Sequence, residues 1–282
     1  MTTPPAIPSP EPAQHTAPRF GLIVVGDEIL SGKRVDKHMP KVIELLKARG
    51  LQLAYAEYVG DAPERITATL QRAFASGDVV FSTGGIGATP DDHTRQCAAR
   101  ALGIELVLHP QAKALIRQRM QEVALEQGTV FDSDRPDNVH RLNMGVFPAH
   151  AQIIPNPYNK IPGFSCDSVH FVPGFPVMAW PMIEWVLDTH YAHLFQSEAW
   201  LEQSVIVMGA MEAALTPLME TIEQDYPGIK VFSLPSVDHP QYGRHIELGV
   251  KGAPSLVQVA YPTLLVGLKR LNAKLGPELV HP

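Results

Sequence analysis

From Phe20 onward, short continuous apolar runs alternate with segments of helical periodicity, and this alternation constrains the fold more than any other feature of the chain. The run 20–26 (FGLIVVG) is typical of a strand buried on both faces. The next segment, 36–49, spaces Met39, Val42, Ile43 and Leu46 along one helical face and stops at Gly50. Repeated strand–helix alternation predicts an α/β domain built around a largely parallel sheet.

The same alternation continues along the chain. Further strands are expected at 51–59, 78–82, 105–108, 151–154 and 169–172, with helices ending near 76, 102, 126 and 189. Asp61 and Glu64 have the spacing of a capping box, which predicts that they open the helix that Gly77 ends. Residues 127–150 are rich in Asp and Asn and are expected to form a long irregular loop or lid.

Three regions follow from this organisation. Residues 1–19 contain six prolines and no apolar run, so a disordered leader is expected there, and not a signal peptide or a membrane anchor. Residues 20–190 form the α/β domain, and 200–275 are expected to form a small α+β domain. Prolines interrupt the longest apolar stretches, so none reaches the roughly 20 residues of a membrane span.

Charge and cysteine usage narrow the partners. Lys and Arg number 23 against 29 Asp and Glu, a net charge of −6, and no basic run is present, which argues against nucleic acid. A small anionic ligand would therefore be held by backbone amides and a few placed cations. The two cysteines form no CxxC pair, which favours a reducing, cytoplasmic setting. The twelve histidines show no metal-ligand spacing, which argues against a histidine metal site.

The strand at 78–82 runs directly into Thr83-Gly84-Gly85-Ile86-Gly87, and Asp91-Asp92 precede the next helix. Closely spaced glycines before a helix expose backbone N–H groups where the helix dipole favours an anion, so we expect a phosphate-binding loop. The spacing is neither G-x-G-x-x-G nor a P-loop. A glycine-rich turn that serves tight packing is the alternative, and one of the two aspartates is free to hold Mg²⁺ or to orient a nucleophile.

Five motifs along the chain resemble those of the MoaB/Mog molybdopterin-binding fold, in the version found in the N-terminal half of CinA-type (competence/damage-inducible) proteins. They are 83–95 (TGGIGATPDDHTR), 25–32 (VGDEILSG), 59–61 (VGD), 154–157 with 162–164 (IPNP and PGF), and 172–176 (VPGFP). The resemblance implies a three-layer α/β/α domain with a mainly parallel sheet. Ala88 departs from the family, which usually has Pro at this position.

The resemblance also implies site residues. Asp61 and Asp92 correspond to the two acidic positions beside the pterin–phosphate pocket and are the expected catalytic residues; for Asp61 a helix cap is the alternative. The implied metal ligands are Asp27, Glu28, Asp91 and Asp92, for Mg²⁺ or another divalent metal. The implied ligand-binding residues are Thr83, Gly84, Gly85, Gly87, Thr94, Asn156, Pro173 and Gly174. Arg95 and Lys33 are candidates for a phosphate contact, with solvated surface charges as the alternative.

Three functions fit these residues. One is metal-dependent hydrolysis of a nucleotide pyrophosphate such as ADP-ribose, as CinA-like relatives suggest. Another is molybdopterin binding or adenylyl transfer in molybdenum cofactor biosynthesis, and the third is a catalytically silent binding module. The amidohydrolase domain of longer CinA proteins does not follow within these 282 residues, so nicotinamide mononucleotide deamidation is not expected. The C-terminal unit resembles a KH-like appendage without a GxxG loop, which argues against RNA binding.

Two further expectations concern Cys166 and the last helix. Cys166 lies beside the PGF motif in a predicted loop and is interpreted as a small apolar residue. The helix at 254–274 carries a broad apolar face, which predicts a homodimer or higher homo-oligomer, with docking on its own strands as the alternative. That face consists of Leu256, Val259, Leu264, Leu265, Leu268 and Leu271.

Overall fold

A computed structural model describes residues 18–195 and 201–281. The chain forms two compact units, which are treated separately. The described part of the first is 18–46 and 51–194, and that of the second is 47–50, 195 and 201–281. Apart from residues 18 and 19, the predicted disordered leader lies outside the described residues.

The first unit alternates strands and helices. Its strands are β1 (Phe20–Val25), β2 (Leu53–Val59), β3 (Val79–Thr83), β4 (Leu106–Leu108), β5 (Val146–Pro148), β6 (Gln152–Ile154), β7 (Gly163–Cys166) and β8 (Val169–Val172). Its helices are α1 (Asp27–Leu30), α2 (His38–Lys47), α3 (Pro63–Ser76), α4 (Thr94–Leu102), α5 (Pro110–Glu126), α6 (Pro136–Leu142) and α7 (Pro176–His190).

Six of these strands form one sheet in the order β2-β1-β3-β8-β7-β6. The first four are parallel to one another. Val24 of β1 lies between Tyr58 of β2 and Thr83 of β3. Strand β7 runs antiparallel to β8 and to β6, and β4 pairs with β5 in a separate two-stranded sheet. The predicted mainly parallel α/β sheet is confirmed.

Both faces of the sheet are covered. Ile23 of β1 and Phe171 of β8 belong to one buried cluster with Leu70 of α3 and Ala98 of α4. His170 points to the opposite face, because side chains alternate along a strand. Its Nε2 hydrogen-bonds the Tyr191 hydroxyl directly after α7 at 2.7 Å. Helices α3 and α4 therefore lie on one face and α7 on the other, which gives the three predicted layers.

Helix α3 corrects one expectation. Gly77 ends the helix in the left-handed region, at φ 71°, as predicted. The capping box is wrong, because Ala62 occupies the N-cap position and no side chain caps the helix. Asp61 instead accepts a hydrogen bond from the Asp27 backbone N–H, 34 residues away.

The stretch 127–150 and the following region also differ from the prediction. Within the supposed loop lie α6, a 3₁₀ turn at Asn143–Gly145 and β5, which pairs with β4. The predicted loop around Cys166 is strand β7, whose four residues are all buried. Cys97 and Cys166 are both free and buried, so the interpretation of Cys166 as a small apolar residue holds.

The second unit contains β9 (Leu201–Met208), α8 (Glu212–Asp225), β10 (Lys230–His239), β11 (Gly243–Gly252), α9 (Pro254–Arg270) and β12 (Lys274–His281). Its strands form an antiparallel sheet in the order β10-β11-β9-β12. Strand β12 was not predicted, and it extends this unit beyond residue 275. Helix α9 continues through Pro262 without a break.

Helix α9 docks on its own sheet. Leu264 and Leu268 are fully buried in one cluster with Val205 and Leu248 of the strands. Val259, also part of the predicted dimer face, remains 52% exposed. Docking of the helix on its own strands, the alternative to a dimer, therefore explains the burial at the centre of the predicted apolar face. Within 18–195 and 201–281, no helix has both the length and the apolar character needed to cross a bilayer.

Candidate functional site

A cavity of about 500 Å³ opens at the carboxyl ends of the parallel strands in the first unit. Its walls come from the loops that follow β1, β2, β3 and β8, which are neighbours in the sheet. Chain order reverses at β1, since β2 lies on one side of it and β3 on the other. Ligands of open α/β sheets bind at such a reversal, so the fold itself marks this crevice as the candidate site.

The loop after β3 forms one wall, and glycines fix its course. Gly84 and Gly85 both have positive φ, at 97° and 68°, a region that L side chains rarely adopt. A Cβ on Gly84 would overlap the Val25 carbonyl, and one on Gly85 would overlap the Thr94 hydroxyl. Thr94 donates this hydroxyl to the Gly84 carbonyl at 3.1 Å and its N–H to the Gly85 carbonyl at 3.0 Å. The absence of side chains at Gly84 and Gly85 is thus required for packing inside the loop, and it also leaves the outer surface of the loop uncovered.

The backbone N–H groups of 85–88 distinguish this loop from a packed turn. The Gly84 N–H is used by the Val172 carbonyl at 3.0 Å. Among the described residues, no hydrogen bond engages the N–H groups of Gly85, Ile86, Gly87 or Ala88. Consecutive unpaired amides ahead of helix α4 form a concave surface that suits an anion. We call these four residues the amide row.

Two aspartates from different segments, Asp27 and the cavity-lining Asp61, are joined by two hydrogen bonds. The Asp27 N–H donates to Asp61 Oδ2 at 2.9 Å, and the Asp61 N–H donates to Asp27 Oδ1 at 3.2 Å. Burial raises the pKa of Asp61, the nearby charges of Asp27, Glu28 and Asp91 raise it further, and the Asp27 N–H partly offsets these effects. A carboxylate whose pKa is perturbed by burial and by like charge, inside a crevice, is a candidate for proton transfer or metal binding.

Asp92 has a second task in the structure. Its Oδ2 accepts hydrogen bonds from the Thr89 N–H at 2.8 Å and the Thr89 hydroxyl at 2.5 Å, which closes the turn between the glycines and α4. A Cβ on Gly87 would press against the same carboxylate. Asp92 therefore shapes the loop and also lines the cavity, with Oδ1 free of the hydrogen bonds that hold Oδ2.

The predicted cations take different places. Arg95 is buried, and its guanidinium donates to the carbonyls of Gly87, at 2.6 Å, and Asn143. It is therefore committed to holding the loop. Lys33 lies beside a smaller hollow with Asp27 and Glu28 and does not line the main cavity. Arg34, which sequence reasoning missed, lines the main cavity instead.

His38 links the far wall to helix α2. Its ring is 5% exposed, and Nε2 donates to the Gly174 carbonyl at 3.0 Å, since a carbonyl can only accept. Burial lowers the pKa of His38, and the Gly174 carbonyl and Asp36 oppose that shift. The neutral imidazole is therefore favoured, and it fixes the Pro173-Gly174 turn close to Gly84.

The remaining wall is largely apolar. It consists of Ile29, Met144, Ile161, Pro162, Phe175 and Met178. Asn156, which is 4% exposed, donates to Asn159 Oδ1 and the Ile161 carbonyl at 2.8 and 2.9 Å, so its amide shapes the 156–161 loop. Phe175 is 55% exposed although it lines the cavity. An exposed aromatic ring beside aliphatic walls suits a planar heterocycle.

Of the residues predicted for the site, most line this one cavity: Glu28, Asp61, Thr83, Gly84, Gly85, Gly87, Asp91, Asp92, Asn156, Pro173 and Gly174. Asp27 and Thr94 are not among the described lining residues, because each is engaged in holding a neighbouring loop. Arg34, His38, Phe175 and Met178 were missed. Only Phe175, inside the VPGFP motif, carried a local signal.

The described residues contain no group of three His, Cys, Asp or Glu side chains arranged to hold a metal ion. The predicted ligands Asp27, Glu28, Asp91 and Asp92 therefore do not form a complete protein-made metal site. Magnesium commonly keeps water ligands and binds to one or two carboxylates together with substrate phosphates. Glu28, Asp61 and Asp91 supply oxygen donors that fit this mode of binding.

Comparisons with known proteins agree with the motifs. Residues 21–193 match the family described as "Probable molybdopterin binding domain". A crystal structure of the protein CinA, of unknown function, from Thermoplasma acidophilum is 26% identical and has a TM-score of 0.51. It covers 60% of this chain and 97% of its own chain.

Relatives of two lengths are found. A protein of Pyrobaculum calidifontis is 29% identical over 81% of this chain and 86% of its own length. The CinA-like protein of Geobacter metallireducens is 30% identical over 76% of this chain and 50% of its own length. The CinA-like protein of Geobacter sp. strain M21 is 28% identical over 86% and 56%. This chain thus spans about half the length of the CinA-like relatives that it matches.

Proposed function

Because the chain belongs to the molybdopterin-binding-type domain family with MoaB/Mog and CinA-like members, we propose that its cavity binds a phosphorylated nucleotide or pterin and hydrolyses a phosphoanhydride bond with a divalent metal. The observation that supports this most is the amide row, which lines one cavity together with carboxylates of neighbouring loops. Backbone amides recognise phosphate, and carboxylates recruit the metal that such chemistry needs.

The charge of the cavity supports the metal. Glu28, Asp61, Asp91 and Asp92 line it, against the single guanidinium of Arg34 among the described lining residues. A polyphosphate entering alone would be repelled by these carboxylates, whereas a divalent cation between carboxylate and phosphate removes the repulsion. When bound, Mg²⁺ would polarise the phosphoryl oxygens and lower the pKa of a coordinated water. Glu28 and Asp91 would hold it.

The chain's own residues then have distinct tasks. The amide row holds one phosphate in place while Asp92 keeps the loop closed through Thr89. Asp61, whose pKa burial raises, accepts the proton of the attacking water. The water oxygen forms a bond to phosphorus, the bridging P–O bond breaks, and the leaving phosphate carries away the bonding electron pair. The two products are phosphate monoesters.

The apolar wall supports a ligand with a ring. Phe175, Met178 and Ile161 offer an aromatic face, a thioether and an aliphatic side chain on one side of the cavity. A nucleobase and a pterin are both planar heterocycles that such a wall would bind. Adenylyl transfer to molybdopterin therefore remains the second candidate, since it would use the same phosphate and ring positions. Two free buried cysteines fit a reducing, cytoplasmic setting for either reaction.

The experiment that tests the proposal is a substrate screen. The purified chain is incubated with ADP-ribose, other nucleoside diphosphate esters, or molybdopterin with ATP, each with Mg²⁺, Mn²⁺ or Co²⁺. Products are identified by ³¹P nuclear magnetic resonance. Hydrolysis predicts metal-dependent formation of phosphate monoesters from the diphosphate esters, whereas adenylyl transfer predicts release of pyrophosphate only when molybdopterin is present.

Variants separate catalysis from binding. Asp61→Asn is expected to lower turnover by roughly 100-fold or more with little change in ligand affinity, whereas Asp92→Asn, which disturbs the loop that carries the amide row, is expected to lower both turnover and affinity. Asp225→Asn removes one exposed carboxylate of the second unit and serves as the charge control. If Asp61→Asn and Asp92→Asn both keep full activity on a confirmed substrate, the catalytic assignment of these two carboxylates is wrong. Ligand binding by wild type without any turnover in the screen would favour a binding module.

A further inference from the structure

Arg34 differs from every other described residue that lines the cavity. It is the one permanently charged cation there, because burial lowers the pKa of His38 and favours its neutral form. Arg34 is exposed, and in the described part of the chain its guanidinium makes no hydrogen bond and no ion pair. Arg19, Arg72 and Arg135, by contrast, each pair with a carboxylate.

The backbone of Arg34 is nevertheless fixed. Its N–H donates to the Glu28 carbonyl at 2.9 Å, which ties the residue to the turn of α1. That turn follows β1, whereas the amide row follows the adjacent strand β3. The two groups with affinity for anions thus reach the cavity from different loops. A cavity of about 500 Å³ is also far larger than one phosphate requires.

We infer that Arg34 binds a second anionic group of the ligand while the amide row binds the first, so that Arg34 makes the cavity selective for diphosphates over monophosphates. A guanidinium matches the geometry of a phosphate through two parallel N–H···O bonds. A diphosphate carries two such groups, one for the amide row and one for Arg34. This inference rests on the proposed function, since it names the ligand class of the same cavity.

A binding experiment without turnover tests it. Calorimetry measures the affinities of AMP and of α,β-methylene ADP, whose P–C–P bridge resists hydrolysis, in the presence of Mg²⁺. The proteins are wild type, Arg34→Ala, Arg34→Lys and Lys33→Ala. Lys33→Ala is the matched control, because it removes the same charge one residue away at a side chain that does not line the main cavity.

The expected result is selective. Arg34→Ala should lower the affinity for α,β-methylene ADP by about tenfold or more, as expected for losing a hydrogen bond to a charged group. The affinity for AMP should remain almost unchanged. Arg34→Lys should keep part of the affinity, since it retains the charge but not the paired donors. Lys33→Ala should resemble wild type for both ligands.

Three results would overturn the inference. Arg34→Ala binding both ligands as wild type does would show that Arg34 makes no contact. Equal losses for AMP and α,β-methylene ADP would place Arg34 on the same phosphate as the amide row. Equal losses in Arg34→Ala and Lys33→Ala would reduce its role to general charge. If wild type binds neither ligand, nucleotide binding by this cavity fails together with the inference, a result distinct from the other three.

Discussion

Gly85→Ala tests whether the phosphate-binding loop is held by Thr94. Gly85 has φ of 68°, where an L residue costs about 1–2 kcal/mol. The new methyl group would also overlap the Thr94 hydroxyl and force it away from the Gly84 carbonyl. Losing a buried hydrogen bond costs about 1–3 kcal/mol, so we expect the free energy of unfolding to fall by about 2–5 kcal/mol.

Gly103→Ala provides the matched control. Gly103 has the same φ of 68° at the end of α4, but a Cβ there would have no neighbour within 4 Å. Only the backbone cost of about 1–2 kcal/mol should appear in this variant. The difference between the two variants then measures the contact with Thr94.

Urea unfolding followed by tryptophan fluorescence provides the measurement. Trp180 and Trp185 lie in α7 of the same unit, and a Trp200→Phe background removes the third tryptophan. In a Thr94→Ala background, Gly85→Ala should cost no more than Gly103→Ala does. Equal losses for Gly85→Ala and Gly103→Ala in the presence of Thr94 would refute the reasoning.

Three further predictions follow from the structure. Arg95→Met should lower the melting temperature and weaken phosphate binding, because the carbonyls of Gly87 and Asn143 lose their buried donor. Arg100→Met, at an exposed arginine, is the control, and scanning calorimetry compares the two variants. Equal melting temperatures in the two variants would contradict this prediction. Because the pKa of Asp61 is raised in the native chain, the unfolded chain releases this proton at lower pH. The free energy of unfolding should therefore fall as pH rises from the ordinary aspartate pKa through the raised pKa. Asp61→Asn should remove this contribution to the pH dependence measured by urea unfolding, and an unchanged pH dependence would count against the prediction. The predicted homodimer would use the part of α9 that stays exposed, which includes Val259 and Val266. Val259→Asp and Val266→Asp should each convert the dimer to a monomer, measured by light scattering at tens of micromolar. A wild-type chain that is monomeric under these conditions would contradict the prediction.

The sequence was most informative where local patterns decide the structure. The buried strand 20–25, the helix stops at Gly77 and Gly103, and the glycine loop after β3 each depend on residues close in the chain. Continuous apolar runs identify parallel strands, and glycine is the residue that most readily adopts the left-handed conformation at which a helix ends. The order of the site motifs along the chain then placed their loops at one edge of the sheet.

Long-range contacts account for most of the differences. Asp61 forms no capping box because Asp27, from a different loop, offers it a backbone N–H. Strand β7 is only four residues long, and it includes Gly163, which packs against the Phe171 carbonyl. It is therefore too short for a hydrophobic periodicity that would predict a strand. Arg34 and His38 reach the cavity only through the path of the chain between β1 and α2, which a local pattern does not encode.

Binding of a phosphate at the amide row is the central claim, and backbone amide resonances test it most directly. In a ¹⁵N-labelled chain, adding pyrophosphate with Mg²⁺ should shift the amide signals of Gly85, Ile86, Gly87 and Ala88 in a saturable manner. Gly209 and Gly228 of the second unit, which also have positive φ, should not move. Saturable shifts elsewhere in the chain, with the signals of 85–88 unchanged, would contradict the account.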